Sequence, residues 1–312
     1  MITIVGDIHI KDDYTKFTQA VNALNYIKDK FDKEENIFIF LGDIFDSANP
    51  SIDCICEIQS IFSSFKSRTI VITGNHDRTP NQNALKVLSK WCEIIDTPII
   101  KEIENKSFLL MPHVDNNGNL YDFYNDYLKT VENTNIDVIC HHLETDTSHF
   151  TDKFIDLSKF RNRCDILGGH VHSRTVGYLG SACKNSSTEK NDIKYIAQYT
   201  GDNVKYISLP SFLDYEIIEY PNEIVKTDKN ISYTITKCPS KAIAVNYYTE
   251  MFNKLNIPVS SIHKYITVSE EVELENNTSV RAKNKSELEY LQEFANENKI
   301  TQNILNKLVE VL

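Results

Sequence analysis

The sequence predicts an α/β fold, and three observations carry that reading. Short apolar runs alternate with helically spaced stretches through roughly the first 200 residues. Glycine-led polar segments follow directly after several of those runs. No apolar tract approaches the ~18 residues that a membrane span requires, so no membrane partner is expected.

The elements follow in order. Met1–Val5 is an apolar run that reads as a buried strand. Between Tyr14 and Phe31, the residues Phe17, Val21, Leu24, Ile27 and Phe31 recur at helical spacing and give that segment one apolar face. Ile37–Leu41 is a second strand, followed by a helical stretch from about Ser51 to Phe65. Thr69–Ile72 is a third, with a helix expected near Asn83–Cys92. Phe108–Met111, Asp137–Cys140 and Cys164–Leu167 are further strand candidates. From Tyr195 onward the pattern turns strand-rich, with Ala197–Tyr199, Val204–Ser208 and Tyr215–Tyr220 separated by the turn signals Thr200-Gly201-Asp202 and Tyr220-Pro221-Asn222. Ile231–Lys237 and Ala242–Tyr248 suit a small appended unit, and helical spacing returns from about Lys285 (Leu288, Leu291, Phe294, Ile304, Leu305, Leu308, Val309). The expected organisation is a main domain over 1–220, a small unit over 221–280 and a helical tail over 281–312 that could bind a partner.

Composition narrows the classes. A 41% hydrophobic content is ample for a core. The start, MITIVGDIHI, has neither a basic opening nor a small-residue cleavage site, so no signal peptide is expected and the chain reads as cytoplasmic. Seven cysteines are scattered without a CxxC pair, which suits reduced thiols rather than a disulfide framework or a zinc ribbon. Cys54 and Cys56 should point to different faces of their helix. A net charge of −11 works against any simple grip on nucleic acid. Bound divalent cations would offset part of that charge at a site.

Five segments carry the chemistry: Gly6-Asp7-Ile8-His9, Gly42-Asp43-Ile44-Phe45-Asp46, Gly74-Asn75-His76-Asp77, His141-His142 and Gly169-His170-Val171-His172. Each follows an apolar run, and the ends of strands in open α/β sheets are where ligand sites form. Taken singly, Asp-x-His is usually a turn and Asn75 a turn residue held by its own side chain. Five such segments in order, each at a strand end, are hard to obtain by chance. Imidazole and carboxylate together suit Mn, Fe or Zn, and the absence of thiolate ligands argues against a structural zinc. Asp-x-His and His-x-His each put two ligands on one side of an extended segment. A carboxylate such as Asp43 can bridge two ions ~3.5–4 Å apart.

This ordered set resembles the calcineurin-like metallophosphoesterase superfamily, whose pattern is Asp-x-His, Gly-Asp-x-x-Asp, Gly-Asn-His-Asp/Glu, His and Gly-His-x-His. Two further segments narrow the likeness. Gly42 to Ser51 is similar to the second motif of the bacterial SbcD branch, and Tyr178-Leu179-Gly180-Ser181 is similar to a segment of the Mre11, SbcD and phage gp47 recombination nucleases. No Arg-Gly follows Asp46, unlike the Ser/Thr phosphatase branch. The short length and compact tail look most like a phage-type member.

The resemblance implies a four-layer α/β/β/α sandwich with a small C-terminal α+β capping unit and a helical tail. It implies two divalent ions, Mn2+ foremost, with Mg2+, Fe2+ or Zn2+ as alternatives. Asp7, His9 and His172 would hold one ion; Asn75, His170 and His142 would hold the other, with Asp43 bridging. His141 is the alternative to His142. His76 becomes a catalytic group that does not bind metal, oriented by Asp46. The implied activity is a DNA nuclease of recombination and repair, a 3′→5′ exonuclease with endonuclease activity. It would hydrolyse phosphodiesters with a metal-bridging hydroxide, as a homodimer beside a Rad50, SbcC or gp46-type ATPase. A metallophosphatase or cyclic-nucleotide phosphodiesterase is the alternative, because the same ion pair serves all three. Outside the motifs, Arg78 is a candidate phosphate contact, His113 a structural residue that could line the site, His149 and His263 surface or packing residues, and Trp91 a core residue.

Overall fold

The computed structural model describes residues 1–114, 119–148, 153–200, 203–227, 230–258 and 261–267. They divide into two compact units: Met1–Glu216 with Lys226–Ser232, and Ile217–Val225 with the described residues from Tyr233 onward.

The first unit opens with β1 (Ile2–Val5), α1 (Tyr14–Phe31), β2 (Ile37–Phe40), α2 (Ile52–Ser63) and β3 (Arg68–Ile72). A small ribbon of β4 (Arg78–Thr79) and β5 (Gln82–Asn83) leads to β6 (Glu93–Ile95). Next come β7 (Ile99–Ile103), β8 (Lys106–Met111), α3 (Leu120–Val131), β9 (Val138–His141) and β10 (Asp165–Gly168). The chain then returns as β11 (Tyr195–Thr200) and β12 (Asn203–Ser208). One sheet runs β12-β11-β1-β2-β3-β6, with β1, β2, β3 and β6 parallel; the other runs β10-β9-β8-β7, with β8, β9 and β10 parallel.

Strand alternation builds the layers. In the six-stranded sheet, Ile2, Ile4, Ile37, Ile39, Ile70 and Ile72 face one way and join Phe108, Leu110, Val138 and Cys140 of the second sheet in a shared core. Val5, Phe38, Phe40 and Val71 face the other way and pack on Leu24 and Ile27 of α1 and Ile58 and Phe62 of α2. On the outer face of the second sheet, Leu109, Met111 and Ile139 meet Tyr124, Leu128 and Val131 of α3. The four layers are therefore helix, sheet, sheet and helix, as expected.

Helix ends are set locally. Asp13 caps α1 by accepting the Lys16 N–H at 2.9 Å, and Ser51 caps α2 by accepting that of Cys54 at 3.3 Å. Lys28 and Lys30 sit in the last turn of α1, where cations suit the helix dipole. The helix expected near Asn83–Cys92 is reduced to a 3-10 turn at Ala84–Leu88, because the chain must turn at Trp91 and Cys92 to enter β6. Trp91 packs against the core, as expected. The cysteines are all free, with Cys54 buried and Cys56 exposed. Among the described residues, no helix is long and apolar enough to cross a membrane.

The second unit is built on the larger part of a three-stranded sheet in which β14 (Ile231–Cys238) runs between β13 (Asp214–Glu219) and β15 (Ile262–Thr267). The helix α4 (Lys241–Leu255) packs there through an edge-on contact of Phe252 with Tyr233. The expected tail over 281–312 and His149 lie outside the described residues, as does the side chain of His263.

Candidate metal centre

Six parallel strands aim their C-terminal ends at one place. The loop after β1 brings Asp7 and His9, the loop after β2 brings Asp43 and Asp46, and the loop after β3 brings Asn75 and His76. From the second sheet, β8 leads to His113, β9 to His142, and β10 to His170 and His172.

The backbone adopts costly conformations to do this. His9, Asp43 and His170 have φ of 53°, 46° and 73°, a left-handed region that L residues rarely occupy. The loops also approach too closely for side chains. A Cβ on Gly74 would lie 2.0 Å from the Asp43 carboxylate, and one on Gly169 would lie 2.3 Å from that of Asp7. Asp77, fully buried, ties two loops together by accepting the N–H groups of Phe45 and Gly74, each at 3.0 Å. Burial, reinforced by the charge of Asp43, pushes Asp77 up to about 7.

The side chains form two clusters that share Asp43. In the first, His9 Nε2 lies 3.1 Å from His172 Nε2, 3.8 Å from Asp7 and 3.7 Å from Asp43 Oδ2. In the second, Asn75 Oδ1 lies 3.0 Å from both His142 Nε2 and His170 Nδ1, and Asp43 Oδ2 lies 3.1 Å from His142 Nε2. Asp43 is anchored through its other oxygen, which accepts the His76 N–H at 2.8 Å.

His142 Nδ1 stands 2.6 Å from the Leu41 carbonyl, which only accepts, so that nitrogen carries the hydrogen. A neutral His142 thus turns the Nε2 lone pair on two oxygen acceptors. Asp7 accepts the His170 N–H with one oxygen at 2.9 Å, and its other oxygen is buried without a hydrogen-bond partner. A cavity of converging acceptors requires cations. Without metal, protons serve. Burial opposes charging His9, yet Asp46, Asp7 and Asp43 raise it to about 10; burial likewise opposes charging His142, yet Asp43 and Asp7 raise it to about 9. The all-oxygen and nitrogen donor set fits hard or borderline divalent ions. Asp7, His9 and His172 could hold one, and Asp7, Asp43 and His142 also converge within ligating distance.

The structure separates the two adjacent histidines. His141 turns away, its Nε2 3.1 Å from the Gly177 carbonyl and its ring edge-on to Tyr178. Burial pushes His141 down to about 3. His142 alone of the pair enters the cluster.

His76 does meet Asp46, through the Asp46 backbone carbonyl, 2.9 Å from Nδ1. The Asp46 carboxylate faces His9 Nδ1 at 3.2 Å and Lys11 Nζ at 3.0 Å, because two cationic partners outcompete an exposed imidazole. His113 is partly buried, its Nδ1 has no hydrogen-bond partner, and burial with the charges on His142 and His170 pushes it down to about 4. Arg78 reaches the His113 carbonyl at 3.4 Å, and its buried Nε has no hydrogen-bond partner. Sequence reasoning missed Lys11, Glu144 beside His170 at 3.6 Å, and Glu189 beside His172 at 3.4 Å. Lys11 and Glu144 each lie two residues beyond a motif, whereas Glu189 is far from all five. Tyr178 is buried and donates to the Leu143 carbonyl at 3.0 Å. Ser181 and Ala182 bond the backbones of His172 and Asp7. The Tyr178–Ala182 stretch therefore laces the first and fifth motifs together.

The chain is 34% identical over 79 residues to an uncharacterized protein of Caenorhabditis elegans, a match that covers 24% of this chain and 31% of that one. It thus spans about a third of that relative's length. A crystal structure of a protein of unknown function from Aquifex aeolicus aligns with a TM-score of 0.35 and 19% identity, over 57% of this chain and 90% of that one. The model of the calcineurin-like phosphoesterase family matches residues 1–174, a span that contains every residue of both clusters. The chain belongs to the calcineurin-like phosphoesterase family, and its acceptor-lined centre is a candidate metal site.

Proposed function

We propose that this phosphoesterase is a two-metal DNA nuclease of the Mre11, SbcD and gp47 kind, acting beside an SMC-type ATPase. The placement of Asp43 carries the two-metal part, since one carboxylate oxygen stands 3.1 Å from His142 and 3.7 Å from His9 and so touches both clusters. The segments Gly42–Ser51 and Tyr178–Ser181 favour the nuclease branch over a phosphatase. The ATPase partner accounts for how a chain of net charge −11 engages DNA.

Divalent ions here, held by Asp7, His9 and His172 and by Asn75, His142 and His170 with Asp43 between, would supply Lewis acidity and a water acidified to ~7. The protein's own contribution lies around them. The hydrogen bond to the Asp46 carbonyl puts a hydrogen on His76 Nδ1, so Nε2 is the atom free to carry a proton to the leaving oxygen. Buried Asp77 and the left-handed residues hold the loops in register, so little reorganisation is needed when charge builds on phosphate.

The test is a Mn2+-supplemented assay on linear DNA, single-stranded circles and a small phosphodiester, with and without an added SMC-type ATPase. Cleavage of DNA, stimulated by the ATPase, is expected. Turnover of the small ester alone would replace this reading with the phosphatase or cyclic-nucleotide phosphodiesterase one.

A further inference from the structure

We infer that Glu189 and Lys194 form a clamp that orients the His172 ring for ion binding, making Glu189 a positioning residue for one half of the centre; the inference rests on the two-metal reading above. Both residues lie beyond the segment matched by the family model, which ends at 174. Nothing in the five motifs points to them.

The geometry is that of a built support. Glu189 Oε1 is 3.4 Å from His172 Nδ1 and also accepts the Asn185 N–H at 3.3 Å and the Ser186 hydroxyl at 3.2 Å. Its other oxygen is 2.6 Å from Lys194 Nζ. Lys194 in turn donates to the backbone carbonyl of His172 at 2.9 Å. One buried acid–base pair thus grips both the ring and the backbone of the same residue.

The consequence is a defined tautomer. A carboxylate only accepts, so the hydrogen sits on Nδ1 and the lone pair on Nε2. Nε2 is the atom 3.1 Å from His9 and 3.9 Å from Asp7. The Asn185 amide stands at a comparable 3.5 Å, and the charged carboxylate, the stronger partner, decides the proton's place. His172 needs such support. Its side chain is 34% exposed, whereas that of His142 is fully buried and fixed by a backbone carbonyl. Merely filling the interior would not call for an ion pair, because a buried pair returns little net stability over apolar residues of like volume.

The experiment titrates Zn2+ into the metal-free full chain by calorimetry, comparing wild type with Glu189→Gln and Glu189→Ala. Long-range 1H–15N spectra of the Zn2+-loaded wild type read the His172 tautomer. Two ions should bind to each protein. In Glu189→Ala one should weaken ~10–100-fold while the other holds, the usual cost of losing an outer partner of a ligating histidine. Glu189→Gln, whose carbonyl can still accept from Nδ1, should recover part of the loss. His172 should be protonated on Nδ1. A Glu189→Ala titration that superimposes on wild type, an equal weakening of both ions, or a proton on Nε2 overturns the clamp. Should Glu189→Ala fail to fold, the wild-type spectrum still decides. A wild type that binds fewer than two Zn2+ removes the two-metal reading and the clamp together; two ions with an unaffected variant remove the clamp alone.

Discussion

The two halves of the proposed metal centre are fastened by different means. His142 is fully buried and pinned by the Leu41 carbonyl, and His170 and Asn75 lean on each other within hydrogen-bonding distance. His172 is instead bonded to the carboxylate of Glu189 and His9 Nδ1 faces that of Asp46 at 3.2 Å, and each carboxylate is itself tied to a lysine. A backbone brace cannot be removed by substitution, whereas a side-chain brace can. The half held by Asp46 and Glu189 should therefore be the one whose affinity is tunable without loss of the fold.

Substitutions can break this contrast, beginning with the group common to both halves. Asp43→Ala should abolish binding of both ions and bring hydrolysis to background, read by metal analysis beside an activity assay. If one ion stayed bound at wild-type affinity, Asp43 would belong to a single half. His76→Ala comes next. It should lower turnover ~10²–10⁴-fold with both ions retained, as befits a proton donor outside the ligand set. Loss of metal with unchanged turnover per bound ion would assign it to the ligands instead.

Asp46→Ala sharpens the contrast further. The His76 contact uses the Asp46 backbone, so turnover per bound metal should stay within about 10-fold, the lower end of a general-acid contribution being larger. Affinity for one ion should fall ~10–100-fold, because His9 loses its outer partner. A drop in turnover matching that of His76→Ala would restore the carboxylate as the orienting group.

Smaller still is the effect of pH. Because carboxylates raise His9 to about 10 and His142 to about 9 against the opposing effect of burial, both are protonated at pH 7 in the metal-free protein. Ions must displace those protons, so affinity should rise with pH towards that range and weaken below it. Calorimetry in buffers of different ionisation enthalpy should show proton release, and heats independent of buffer would contradict it.

Much of this was legible from residue order. Tyr14–Phe31 reads as a helix from spacing alone and forms one over that span, because its apolar face and its Asp13 cap agree. The motifs announced themselves because each sits where a parallel strand ends. The helix α3 is hard to read although Tyr124, Leu128 and Val131 carry the helical spacing, since aromatic and acidic residues crowd the rest of it. Alternation along β9 holds the answer for the histidine pair: Val138, Cys140 and His142 continue one face, and Ile139 and His141 the other. The left-handed backbone at His9, Asp43 and His170 could not be read, because nothing in an aspartate or histidine signals it. Glu189 was equally hidden. Its stretch, Asn185-Ser186-Ser187-Thr188-Glu189-Lys190, has the composition of any polar loop, and only the fold brings it to His172.

The central claim is that a single carboxylate, that of Asp43, joins two ion-binding clusters. Anomalous diffraction from Mn2+-soaked crystals of the full chain tests it most directly. Two peaks ~3.5–4 Å apart on either side of Asp43 are predicted, one beside His9 and His172 and the other beside Asn75, His142 and His170. A lone peak, or a pair with Asp43 turned away from both, would contradict the account.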